Sequence, residues 1–189
     1  MLFQIISFLL DVAVGLLAGA CLLRLYMQYQ RIPFGNPVGR LVFALTDWLV
    51  LPLRRVLPAV GRWDTASLAG AFLLKLAQMA ILWALRGAAA PVALVLLQAV
   101  FGVAQLVITG LIALLIIYAI LSWVQQGGPS PLYDVLDRLC APVLRPLRRV
   151  IPLVGGFDLS PLALLVLLQV ALIVLGHLQA QAMSWVAWG

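Results

Sequence analysis

"PLRRVLPAVGRWD" occupies Pro52–Asp64, and "PLRRVIPLVGGFD" occupies Pro146–Asp158, 94 residues further on. Nine of the thirteen positions are identical. The same 94-residue shift carries Pro37 onto Pro131 and Leu68-Ala69 onto Leu162-Ala163 without a gap. A chain that is 65% hydrophobic thus repeats an arginine-centred phrase bracketed by prolines. Around each copy lie long apolar runs, at about 3–23, 66–85, 95–120 and 161–181. Roughly 20 such residues at ~1.5 Å each cross a ~30 Å hydrocarbon layer. The pattern predicts an all-α integral membrane protein with four transmembrane helices. They fall into two repeats, 1–86 and 95–181, each reading helix, interfacial amphipathic hairpin (31–63 and 128–158), helix.

Two helices per repeat return the chain to its starting side, so the two repeats have the same orientation. Only 10% of the 189 residues are charged, far below a soluble domain. Net charge is +6, and eleven of the twelve basic residues are arginine. Nine of those arginines fall in 31–62 and 138–149. That is the asymmetry of cytoplasmic loops rather than a nucleic-acid groove. The expected topology has both arginine-rich loops cytoplasmic and both termini periplasmic, in the inner membrane of a bacterium. The start, Met-Leu-Phe-Gln, lacks the basic region of a cleaved signal, so the first helix is expected to be retained. Ala18-Gly19-Ala20-Cys21 lacks the leucine and basic start of a lipoprotein cleavage box. Cys21 and Cys140 stand alone and read as buried or interfacial thiols.

Within the loops, Asn36-Pro37 and Ser130-Pro131 read as an N-cap followed by proline at the first helical position. Val38, Leu41, Val42, Leu45, Trp48 and Leu49 then recur at helical spacing, and 131–144 repeats the pattern. Such segments are too short to span and are expected to lie in the headgroup region. A second, shorter helix is expected from Pro52 to Pro58 and from Pro146 to Pro152, with Arg54, Arg55, Arg148 and Arg149 turned toward lipid phosphates or a partner. Gly61 and Gly155 turn the chain. Asp64, Asp158, Ser160 and Pro161 supply the start of the next spanning helix.

The two "PLRRVxPxVGxxD" copies, "FDLSP" at 157–161, "RLYMQ" at 24–28 and "LSWVQQG" at 121–127 resemble the YggT family of bacterial inner-membrane proteins, which has plastid relatives. The first copy departs from the pattern: Arg62-Trp63 and Thr65-Ala66-Ser67 stand where the second has Gly-Phe and Leu-Ser-Pro. The resemblance implies a small membrane protein linked to osmotic or ion stress, envelope or division functions, and assembly of membrane complexes. It implies no catalytic residue.

Ionisable side chains in a spanning helix mark function or a clasp. Asp11 and Lys75 lie at matching depths on neighbouring antiparallel helices, and the repeat sends them to Gln105 and Gln169. Two readings stay open. Either each pair clasps its helices, or all four converge on the axis between the repeats and line an ion or solute path. His177, without acidic or thiol neighbours, reads as an interfacial histidine rather than a metal ligand. Tyr26, Tyr29, Trp48, Trp63, Trp123 and Phe157 at one boundary, and Trp83, Trp185 and Trp188 at the other, form aromatic belts. No nucleophile–base set, phosphate loop or metal cluster is present in the sequence, so no cofactor or enzymatic activity is expected. The expected function is a non-enzymatic accessory or scaffold protein; the alternative is a small oligomeric ion- or solute-conducting protein. Expected partners are the bilayer, anionic lipid included, other membrane proteins and a second copy of the chain.

Overall fold

The structure, a computed structural model, describes residues 1–88, 90–124, 131–151 and 158–188. Among these residues six helices follow in order: α1 (Leu2–Tyr29), α2 (Pro37–Val56), α3 (Thr65–Leu85), α4 (Val92–Val124), α5 (Pro131–Arg148) and α6 (Ser160–Trp188). Four of them, α1, α3, α4 and α6, are long and apolar enough to cross a membrane. The protein is an all-helical, multi-pass membrane protein built from two α-α-α repeats, α1–α3 and α4–α6.

Each repeat packs its two spanning helices together, α1 on α3 and α4 on α6, and lays its shorter helix across both. Between repeats, α3 and α1 pack on α4, and α2 touches α5. The densest core lies at the arginine-bearing end. There Met27 and Val42 from the first repeat meet Leu115, Leu139, Leu144 and Leu164 from the second. A smaller cluster within the first repeat joins Val14, Ala18, Cys21, Val50, Ala66 and Ala71. Farther along the spans most large apolar side chains are exposed, as lipid-facing surface would be.

One expectation is overturned. No separate short helix begins at Pro52: α2 runs through it to Val56, and α5 runs through Pro142 and Pro146 to Arg148. Each proline forfeits one backbone hydrogen bond, yet the helix resumes, and the Leu57 N–H donates to Leu53 O at 2.7 Å. The stop comes at Pro58, whose ring forces Leu57 out of the helical region, to φ −119° and ψ 84°. The first connector is therefore one long helix followed by a bend, not a hairpin of two, and α5 likewise runs unbroken to Arg148. Ser130, Pro152 and Gly155 lie outside the described residues.

In the first connector the Gly39 N–H donates to the Asn36 side chain at 2.8 Å. A Cβ on Gly39 would sit 2.3 Å from the Phe34 carbonyl oxygen, so the tight start of α2 requires glycine. After Pro58 the chain makes a two-way backbone pairing between Val60 and Trp63 across Gly61, which adopts φ +61°.

Candidate functional site: two arginine-bearing bends and a polar level between them and the far end

In the first bend, α1 brings Arg24, α2 brings Thr46, Asp47 and Arg54, and the start of α3 brings Asp64 and Ser67. Arg24 is 2% exposed. Its Nη1 donates to Thr46 Oγ1 at 2.7 Å and to Asp47 Oδ1 at 2.6 Å, and its guanidinium lies 4.6 Å from the centre of the Phe43 ring. Asp64 Oδ2 lies 3.9 Å from Arg24 Nε and accepts from Arg54 Nη2 at 2.5 Å. Arg54 also donates to Gln28 Oε1 at 3.1 Å. Ser67 completes the shell, donating its hydroxyl to Asp64 Oδ2 at 2.6 Å and its N–H to Oδ1 at 3.3 Å. A fully buried carboxylate thus caps α3 and binds two cations from two other helices. Burial opposes its ionisation, but the hydrogen bonds from Arg54 and Ser67 and the Arg54 charge outweigh that, holding the carboxyl below its ordinary value.

The second bend reuses the outer frame. Arg148 Nε donates to Asp158 Oδ2 at 2.8 Å, across the same ten-residue separation as Arg54 and Asp64. Asp158 Oδ1 accepts from the Ser160 N–H at 2.9 Å. Burial opposes ionisation here too, and is outweighed by Ser160 and Arg148, so the Asp158 carboxyl is likewise lowered. The centre differs. Where the first repeat has Arg24 stacked on Phe43, the second has Tyr118 and Asp137. The Tyr118 hydroxyl donates to Asp137 Oδ1 at 3.1 Å and accepts from Arg148 Nη2 at 3.1 Å.

Both bends correct the expectation that all four motif arginines turn toward lipid phosphates or a partner. Arg54 and Arg148 turn back into the protein and hold the aspartate that ends their own motif. Of these four, Arg55 and Arg149 are exposed and have no bonded partner among the described residues, each followed by an exposed valine, Val56 and Val150. Pro52 and Pro146 lie within helices, Pro58 ends α2, and Pro161 sits in the first turn of α6. Asp64, Asp158, Ser160 and Gly61 stand at the bends themselves.

The polar level within the spans is also rearranged. Asp11 and Lys75 do not pair directly. Gln78, fully buried, stands between them: its Nε2 donates to Asp11 Oδ1 at 2.5 Å, and Lys75 Nζ donates to its Oε1 at 3.0 Å. The Lys75 stem leans instead on α4, where a Cβ on Gly102 would lie 3.5 Å from Lys75 Cδ. Lys75 and Gln78 are one turn apart, so a neutral amide can accept from the cation and donate to the anion. Sequence reasoning passed over Gln78, although its i+3 relation to Lys75 was the available signal. In the second repeat Gln105 Nε2 donates to Gln179 Oε1 at 2.7 Å, while Gln169 is exposed. The counterpart of Gln78 is Leu172, which offers Gln105 nothing, so the amide reaches two turns further along α6. The four residues do not converge on one axis.

Tyr26 joins the repeats, its hydroxyl donating to the Leu139 carbonyl of α5 at 2.8 Å. At the bend Tyr29 lies against Trp63, ring centres 5.2 Å apart, and Trp48 is exposed. At the opposite end Trp83 Nε1 donates to Ala90 O, Trp185 is exposed, and His177 Nδ1 lies 2.9 Å from Ile173 O. The side chains of Trp123, Phe157 and Trp188 lie outside the described residues. Cys21 and Cys140 are buried and free.

Two copies of one bend, each a paired Arg and Asp at the same spacing, coincide with a twofold match to one family: CCB3/YggT matches over residues 3–85 and again over 97–179. The chain belongs to the CCB3/YggT family. It is 37% identical over 170 residues to the protein of Escherichia coli K12 described as uncharacterized protein YggT, covering 87% of this chain and 86% of that one. A protein of Vibrio alginolyticus, described as uncharacterized and lying in the proC 3′ region, is 35% identical over 174 residues, covering 91% and 94%. An uncharacterized protein of Pseudomonas aeruginosa is 34% identical over 162 residues, covering 84% and 82%. No solved structure is significantly similar. Within the CCB3/YggT repeat, the paired Arg–Asp bend is the part that this chain builds twice with the same partners.

Proposed function

We propose that this CCB3/YggT protein is a non-enzymatic accessory or scaffold protein of the bacterial inner membrane, one that supports assembly or maintenance of membrane or envelope complexes, including under osmotic stress. The observation that carries this reading is the division of labour within each Arg-Arg pair. The first arginine locks the bend to its own aspartate, and the second stays exposed beside an exposed valine. Two fixed bends that each present a cation next to an apolar side chain suit a surface where anionic headgroups meet hydrocarbon. They equally suit a membrane complex whose acidic flank lies at that level. The bends belong on the cytoplasmic side, because nine of the eleven arginines lie in those two segments. Both termini are then periplasmic.

The conducting alternative would use the polar level of Asp11, Lys75 and the glutamines. Its members are committed to one another in two separate contacts, Asp11–Gln78–Lys75 and Gln105–Gln179, and Gln169 faces outward. That arrangement favours a clasp. Purified protein in liposomes should show no ion flux above empty vesicles, and Arg55→Gln with Arg149→Gln should reduce binding of solubilised protein to phosphatidylglycerol vesicles or to a co-purifying membrane complex. Flux that disappears in Lys75→Leu would overturn the scaffold reading. A reporter fused inside 57–63 that is active only in the periplasm would overturn the orientation.

A further inference from the structure

Among the contacts between the repeats, the seam of α3 on α4 is one that the fold uses only once among the described residues. On the α3 side of that seam is Lys75, and on the α4 side is Gly102, with Leu106 packed against the first-repeat cluster. Val95, Ala99, Gly102 and Leu106 follow one another at helical spacing, and Val95 and Ala99 are buried. The repeat relation says which faces should form a second such seam. The counterparts of that α4 stripe are Met1, at the N-cap of α1, and Ile5, Phe8 and Val12 on α1 itself. On α3, Lys75 at the seam and the half-buried Phe72 and Met79 at helical spacing from it correspond to Gln169, Val166 and Ile173 on α6, while Leu68, itself exposed, corresponds to Leu162. Every one of those eight counterparts is exposed, and among the described residues α6 has no packing on α1 comparable with that of α3 on α4.

We propose that a second copy of this chain completes the pattern, laying its α6 on α1 of its neighbour as α3 lies on α4 within one chain. Polar residues decide between this occupant and lipid alone. Asp11 and Gln169 are both exposed on spans that are otherwise apolar, where an unshielded polar group is costly. Asp11 is the counterpart of Gln105, one turn beyond Gly102, and Gln169 is the counterpart of Lys75. The internal seam therefore sets Gln169 of one copy at the level of Phe8 and Asp11 of the next. Its amide N–H can donate to the carboxylate oxygen that Gln78 leaves free. A shallow apolar groove lined by Met1, Gln4, Ile5 and Phe8 runs along the receiving face. The contact is head-to-tail, so it generates a closed ring or a row rather than a face-to-face pair. It stands apart from whether the bends serve as a scaffold.

Two differently tagged full-length chains, one carrying Phe8→Cys and the other Gln169→Cys, should form a mixed product with a short bismaleimide in native membranes. Both positions are exposed, so the substitutions leave the bundle intact, and the buried Cys21 and Cys140 should stay unlabelled. Burial holds the Cys140 thiol up at about 12, with Asp137 raising and Arg148 lowering it, which keeps it unreactive. Absence of the mixed product from folded, labelled protein overturns the proposal. So does a Gln169→Cys homodimer in its place, which would indicate a symmetric face-to-face contact. In reconstituted vesicles, energy transfer between fluorescently tagged chains should weaken roughly threefold or more on dilution for Gln169→Leu, the scale of one interhelical hydrogen bond in a membrane. Association unchanged by Gln169→Leu overturns the hydrogen-bonded seam.

Discussion

At the first bend, four groups alternate in sign: Asp47, Arg24, Asp64 and Arg54, with the central two buried. At the second, the chain Asp137–Tyr118–Arg148–Asp158 has a neutral phenol where the first has a buried guanidinium. The exchange is reciprocal. Arg24 becomes Tyr118 and Phe43 becomes Asp137, so the aromatic and the charge trade helices while the outer Arg–Asp pair stays. The solvent access differs as well: the Asp64 side chain is 0% exposed and that of Asp158 is 30%. The repeated motif specifies the bend, and residues outside the motif decide how deeply its ion pair is buried.

The largest expected effect tests that difference in depth. Asp64→Ala leaves Arg24 and Arg54 without their shared carboxylate inside the protein, and removing one partner of a buried pair costs about 3–5 kcal/mol. Asp158→Ala removes a half-exposed pair and should cost only about 0.2–1 kcal/mol. Thermal unfolding in detergent, followed by tryptophan fluorescence, measures both. Equal losses would mean that the two bends are energetically the same and that the buried Arg24 adds nothing.

Acid should reveal the same asymmetry. Both carboxyls are held below their ordinary value, so the stability they confer is fully present above the unfolded aspartate value of about 3.9. It is lost as the pH falls through the lower folded value. An acid titration of the melting temperature should therefore drop below about pH 4. Asp64→Asn should flatten that drop much more than Asp158→Asn.

Much of this was legible in the residues alone, and the places where it was not have physical causes. The four spans and the like orientation of the repeats follow from apolar run length and from the undivided 94-residue shift. The fate of Arg54 and Arg148 was not legible. Helical spacing says which face an arginine occupies but not whether a bend ten residues on will bring an aspartate back under it. Pro52 misled for a related reason. A proline reads as a helix boundary, yet one forfeited hydrogen bond can be outweighed when a stripe of buried residues before it, Val42, Thr46 and Val50, is continued beyond it by Leu53, which packs on the same cluster as Val50. Depth counting from the charges placed Asp11 near Lys75, but it ignored that a lysine stem packs on whichever neighbour offers a glycine, here Gly102.

The polar level sharpens the comparison at smaller energies. Gln78→Leu removes the amide that links Asp11 to Lys75 and leaves both unsatisfied in the first repeat, an expected loss of about 1–3 kcal/mol. Gln179→Leu breaks a neutral amide pair in the second, where membrane hydrogen bonds average about 0.6 kcal/mol. Yield and melting temperature of the two variants, side by side, check the ratio. A Gln78→Leu variant as stable as its parent would mean that Asp11 and Lys75 find each other directly once the amide is gone.

A further small effect concerns the phenol at the second bend. Tyr118→Phe keeps the ring and its stacking on Tyr133, centres 5.6 Å apart, and deletes only the hydroxyl that joins Asp137 to Arg148. Asp137 is half-buried and Arg148 more than a third exposed, so water can replace part of what is lost; a net cost of about 0.5–1.5 kcal/mol follows. Arg148 keeps Asp158 at 2.8 Å, and the bend should therefore persist. The informative variant is Tyr118→Arg with Asp137→Phe, which writes the first centre into the second. The first centre also relies on Thr46 and Asp47, whose counterparts are Cys140 and Ala141. The transplanted guanidinium would have Asp158 alone to answer it, and the double variant should be less stable than Tyr118→Phe. A double variant more stable than Tyr118→Phe would show that the Arg–Asp frame suffices for either centre, and that the difference between the repeats is drift rather than necessity.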